Sequence, residues 1–147
     1  MSNRITIEVY DAAGTTRLSS LKLSGAQIGS ATSDTVITIK NGSNSKNAAH
    51  VLLGAIRADY LLTAPVGEDS DTTNERGGEL VAEQWLEARL LATDAWVPVG
   101  ETPADSFDIG ALAAGSTQTV RLRLNIPSDA DTSFDVYFSL AFRVEAA

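Results

Sequence analysis

The sequence predicts an all-β chain folded as a single antiparallel β-sandwich of about eight strands. Three observations predict it. Val120, Leu122, Leu124 and Ile126 share one side of a run whose other side carries Arg121, Arg123 and Asn125. Phe134, Val136, Phe138, Leu140, Phe142 and Val144 do the same, with Asp135, Tyr137, Ser139, Arg143 and Glu145 mostly opposite. Shorter apolar runs recur along the rest of the chain between Gly, Asn, Asp and Pro turn residues. Successive side chains of a strand point to opposite faces, so a period of two describes strands with one buried and one wet face.

Taken in order, Ile5, Ile7 and Val9 alternate with Thr6, Glu8 and Tyr10 in a first strand that ends in the turn Asp11-Ala12-Ala13-Gly14. Leu18, Leu21 and Leu23 form a second, less regular segment closed by Ser24-Gly25, and residues 26–33 read as a loop or crossover. Residues 34–40 are β-branched and run into an Asn41-Gly42 turn; such side chains pack well on a pleated surface and poorly in a helix. Residues 48–62 fit a strand, and Val51, Leu52, Ala55 and Ile56 also fit a helical stripe; Gly54 favours a bulged strand. Residues 64–78 are polar throughout and are expected to form an exposed loop. Residues 79–92 admit a helix, but the preferred reading is a hairpin of 85–91 with 96–99. No repeat or linker divides the chain, so residues 1–147 are expected to be one domain. Residues 1–33 would supply N-terminal strands or an arm, and residues 34–145 the core. Phe138 is expected inside that core, with Phe138→Ala costing at least about 3 kcal/mol through the cavity it leaves.

Composition excludes several classes. A net charge of −8, from 19 acidic and 11 basic residues, argues against a nucleic-acid partner, which needs clustered Lys and Arg. Arg121 and Arg123 are the one local basic pair and read as a solvated strand face. No apolar stretch is long enough to span a membrane. The absence of Cys removes disulfides and thiolate metal sites, and the chain enters a strand pattern at once, which fits folding in the cytoplasm.

The search for chemistry assigns no catalytic, cofactor-binding or metal residue. Glu68, Asp69, Asp71 and Glu75 could offer oxygen ligands to calcium, but lack the spacing and fixed Gly of a calcium loop, so they read as solvated. His50 stands alone, and neither Ser45 nor Asp59 near it gives a triad signature. No glycine-rich phosphate loop is present, and Gly77-Gly78 reads as flexibility. Trp85, Trp96 and Tyr60 could form a sugar platform or an interface hot spot; the competing reading is packing of the two tryptophans across the hairpin.

Two resemblances add to this. Residues 108–120, Asp-Ile-Gly-Ala-Leu-Ala-Ala-Gly-Ser-Thr-Gln-Thr-Val, then a strand and Pro127-Ser128-Asp129-Ala130, resemble the closing half of immunoglobulin-like adhesion-type domains. Residues 36–41 and 48–53 are similar to their paired strands, so the resemblance implies an immunoglobulin-like sandwich over 34–145. Glu83-Gln84-Trp85-Leu86-Glu87-Ala88-Arg89 followed by Trp96-Val97-Pro98-Val99-Gly100 resembles small structural proteins of tailed bacteriophages. That resemblance implies a non-enzymatic virion component without cofactors, assembled in the host cytoplasm and repeated as a homo-oligomer. The expected role is a capsid decoration (cement) protein whose partner is the major capsid protein or another virion protein, with no nucleic acid or membrane involved. Ile5, Ile7, Tyr10, Trp85 and Trp96 are the candidate interface residues. A tail or baseplate component is the alternative, and a carbohydrate-binding module the alternative of another class.

Overall fold

A computed structural model describes residues 5–19, 21, 23, 27–57, 80–130 and 138–147. Its described strands are β1 (Ile7–Tyr10), β2 (Thr35–Asn41), β3 (Ala48–Arg57), β4 (Leu86–Arg89), β5 (Val97–Pro98), β6 (Phe107–Leu112), β7 (Thr117–Leu124) and β8 (Phe138–Ala146). They form two antiparallel sheets, ordered β1-β2-β7-β4-β5 and β6-β3-β8, so the fold is the all-β sandwich the sequence predicts. In the lettering of immunoglobulin-like sandwiches, β1-β2-β7-β4 follow the order A-B-E-D, and β3 beside β8 matches the C–F pair. Here β6 flanks β3 on its other side, and no described strand lies beyond β8.

The core sits between the middle strands. Ile37 and Ile39 of β2, Val51, Leu53 and Ala55 of β3, Leu86 and Ala88 of β4, and Val120 and Leu122 of β7 are completely buried. Each set is spaced by two, as one face of a pleated strand requires. Burying a Leu or Ile in this way contributes about 1.5–3 kcal/mol. Leu80 and Val81, in a helical turn at 80–82, close the core ahead of β4.

The two open segments resolve as strands within the described residues. Residues 48–57 are β3, and 86–89 pair with 97–98 as the β4–β5 hairpin; 58–62 lie outside the described residues. Three expectations are corrected. The described residues of the segment at 18–23 form no strand: the chain returns beside β1 through one bridge, Tyr10 to Arg17, and a Leu18 N–H bond to Val9 O. β6 is a strand that no period of two in the sequence announces, since its buried residues Ile109 and Leu112 are three apart. The bulge in β3 lies at 48–52, opposite Gly110 of β6, and not at Gly54. Gly54 stays in register with Ala141, and its need is space: a Cβ there would lie 3.2 Å from Gly100 O and 3.3 Å from Ser106 Oγ.

The third correction concerns β8. Phe138, Leu140, Phe142 and Val144 pack against the core but are only partly buried; among the described strands β8 is the outer one of its sheet, while β3 is flanked on both sides. Removing the partly buried Phe138 would leave a gap open to water rather than a sealed cavity, so a cost below about 3 kcal/mol is expected. Phe134 and Val136 lie outside the described residues.

Candidate functional site

The polar face of the five-stranded sheet carries the densest cluster of charged and aromatic side chains among the described residues. Alternation puts it there: Ile37, Leu122 and Ala88 face the core, so Val36, Arg121 and Arg89 face outward. The registers align Val36 with Arg121 and Arg121 with Arg89, and one further step along the β4–β5 ladder sets Trp96 beside Arg89. The neighbouring rung aligns Arg123, Glu87 and Pro98. Two adjacent rungs thus gather two guanidiniums against one indole, with that of Arg121 one strand beyond Arg89.

The geometry is specific. The Arg89 and Arg123 guanidiniums lie over the Trp96 ring, 4.1 and 4.5 Å from its centroid. Ring quadrupoles attract such cations, by about 0.5–2 kcal/mol depending on exposure. Arg123 Nε donates to Glu87 Oε1 at 2.7 Å, a direct cross-strand pair with the carboxylate largely shielded from water. Arg89 and Arg121 stand opposite each other, an arrangement that like charges disfavour. Asp34 relieves it: its Oδ2 accepts from Arg89 Nη2 at 3.1 Å and lies 3.6 Å from Arg121 Nη1. Arg89 Nη1 also donates to Asp94 O at 3.2 Å, and Asp94 Oδ2 accepts from Leu91 N–H, which fixes the connection into β5. Three cations thus meet two anions, and the Nε–H groups of Arg89 and Arg121 find no acceptor among the described residues. Leu91, at the rim of this face, is 62 % exposed.

The motif Trp96-Val97-Pro98-Val99-Gly100 has a structural reason at four of its five positions, and Val97 is left exposed. Trp96 takes the guanidiniums, Pro98 sits on an edge strand where its missing N–H is tolerated, and Val99 is fully buried. Gly100 is obligatory by space, since a Cβ would come 2.6 Å from Gln84 Nε2 and 2.7 Å from Asp105 Cβ.

The candidate interface residues are not brought together. Ile5 and Ile7 are partly buried against the core, Ile7 paired with the buried Asn41. Tyr10 faces outward, and its hydroxyl donates to Glu8 Oε1 at 2.5 Å; that bond foremost, with desolvation and the Glu8 charge, raises its pKa. Four strand spacings, about 19 Å, separate β1 from β5, so Tyr10 and Trp96 stand at opposite edges of one sheet. Trp85 is corrected from surface to core: it is 2 % exposed within the main apolar cluster, its backbone held by Leu80 O and Asn125 N–H. It forms no exposed platform with Trp96, and Tyr60 lies outside the described residues, as does the acidic loop at 67–76. Sequence reasoning placed Arg121 and Arg123 on one exposed face but missed Arg89 and Asp34; the alternation of Glu87 and Arg89 with Leu86 and Ala88 was the available signal.

His50, on the outer face of the smaller sheet, pairs through Nδ1 with Asp108 Oδ2 at 3.0 Å. Both side chains are half-exposed, so the pair is a surface contact worth about 0–1 kcal/mol. Among the described residues no group of three or more His, Asp or Glu is placed to hold a metal ion. Compared with family models, with curated proteins and with solved structures, the chain matches none.

Proposed function

We propose that this protein is a non-enzymatic structural component that works by binding another protein surface. In its most specific form the reading is a capsid decoration (cement) protein of a tailed-phage virion, assembled in the host cytoplasm, docking on the major capsid protein and self-associating. The observation that carries the binding role is the Arg89–Trp96–Arg123 stack on a rigid sheet face. Trp and Arg are the side chains most enriched where interface energy concentrates, and a sheet holds them without an ordering cost on docking. The virion assignment rests on the resemblance of residues 83–100 to phage structural proteins. Cementing requires complementary area and many copies, not an active site.

The test is co-sedimentation of the purified protein with capsid shells that lack it, followed by imaging of the particles. Saturable binding at a fixed number of copies per capsomer is the expected result. A strict monomer in gel filtration that leaves shells bare overturns the decoration role. Label on the tail in the same images selects the tail or baseplate component instead.

A further inference from the structure

We propose that the outer face formed by Arg89, Arg121, Arg123 and Trp96 binds a partner protein segment in which a carboxylate is flanked by apolar side chains. The assignment rests on the reading of the chain as a protein-binding component and specifies the chemistry of its partner.

Charge comes first. Within ion-pair distance, Asp34 and Glu87 are the two carboxylates that the described residues set against three guanidiniums, while the Asp94 carboxylate is turned to the Leu91 N–H, all on a chain whose net charge is −8. Each guanidinium presents five N–H donors in a planar fork. The Nε–H groups of Arg89 and Arg121 are buried and have no acceptor among the described residues, so the terminal Nη–H groups are the donors open to a partner. The side chains of Arg89, Arg121 and Arg123 remain 16, 30 and 25 % exposed, so an incoming carboxylate can reach guanidinium N–H groups held in place by the pairs behind them. Paired carboxylate and guanidinium groups form the stronger, geometrically selective class of hydrogen bond.

The rim supplies the apolar half of the match. Val36 and Trp96 flank the arginines along one rung, Pro98 ends the other, and Leu91 stands out from the connection beside them. Pro98 also denies the outer edge of β5 to an added strand, so a partner lies across the face rather than extending the sheet. A nucleic acid or a phosphorylated surface fits poorly, because Asp34 and Glu87 are interleaved with the arginines and would repel a run of phosphates. A single carboxylate can instead be received by the exposed N–H groups of the guanidinium forks without meeting a run of like charges.

The experiment records the arginine Nε–H signals of the whole protein by two-dimensional NMR while the peptide acetyl-Glu-Leu-Glu-Leu-Glu-amide is added. Saturable shifts at Arg89, Arg121 and Arg123, with Arg17 and Arg143 unmoved, are expected. Arg121→Gln should weaken the peptide about tenfold, the loss of one charge-assisted bond. Leu91→Glu, which alters only an exposed side chain, should weaken it about fivefold, and Leu91→Lys, which loses the apolar contact without adding a negative charge, by less. Three outcomes overturn the proposal: no shift at millimolar peptide, an equal response to the lysine counterpart of the peptide, or the same signals moving at lower concentration with inorganic phosphate or a DNA oligonucleotide. Peptide binding by a protein that leaves capsid shells bare removes the virion role and keeps this chemistry. Shell binding undiminished by Arg121→Gln and Leu91→Glu removes this chemistry and keeps the role.

Discussion

A fully buried amide such as that of Asn41 must find a partner for each polar atom, because an unmet donor or acceptor in the core costs about 1–3 kcal/mol. Asn41 finds them all: Nδ2 donates to Lys46 O at 2.8 Å and Leu112 O at 3.0 Å, and Oδ1 accepts from Ser43 N–H at 2.9 Å. One side chain at the end of β2 thereby ties the larger sheet to β6 of the smaller one. Asn41→Ala is expected to lower the unfolding free energy by about 3 kcal/mol in urea denaturation, with the slope unchanged. A loss within experimental error would mean that water replaces the amide freely and that the two sheets are joined elsewhere. The sequence makes Asn41-Gly42 readable as a turn, because that depends on neighbours. Its burial is not readable, because the partner Leu112 is 71 residues away. The arginines follow the same rule. Arg121 and Arg123 declare a common face by spacing alone, whereas their meeting with Arg89 and Trp96 depends on the order β2-β7-β4-β5, which no local pattern states.

At the scale of elements, strands that keep a period of two over most of their length were legible, and β6, which loses it at its bulge, was not. In β6 the buried positions are Ile109 and Leu112, three apart, with Gly110 between them at φ +98°. The ladder advances one residue on β3, from Val51 to Leu52, and two on β6, from Gly110 to Asp108, which shifts the alternation by one and hides the period of two. A Cβ at Gly110 would meet nothing within 4 Å, so a substitution there isolates backbone strain from crowding. Gly110→Ala should cost about 1–2 kcal/mol by thermal or chemical unfolding, and Gly110→Asn less, because Asn tolerates positive φ better. Equal stability of all three proteins would show that β6 can straighten without its bulge. The β4–β5 hairpin illustrates the opposite case. Its polar face alternates cleanly through Glu87 and Arg89, and local pattern sufficed to prefer it over a helix even though the preceding residues 80–82 are helical.

For the molecule as a whole, strand position sets what each apolar residue is worth. The longest apolar alternation in the sequence belongs to β8 and looks like the centre of the core, yet among the described strands β8 is the outer one of the β6-β3-β8 sheet, and its side chains are only partly buried. Periodicity reports which face of a strand is apolar; it carries no information on how many neighbours the strand has. Leu53 is the contrasting case. It is completely buried on β3, with Phe107 of β6 on one side and Phe142 of β8 on the other. Leu53→Ala leaves a cavity sealed on both flanks and should cost about 2–5 kcal/mol, whereas Phe138→Ala, though it deletes more atoms, opens to solvent and should cost less than about 3 kcal/mol. Measured as a pair by urea denaturation, Leu53→Ala is expected to be the more destabilising. The reverse order would mean that something covers the inner face of β8 as completely as β8 covers β3, and the edge would then belong to the core.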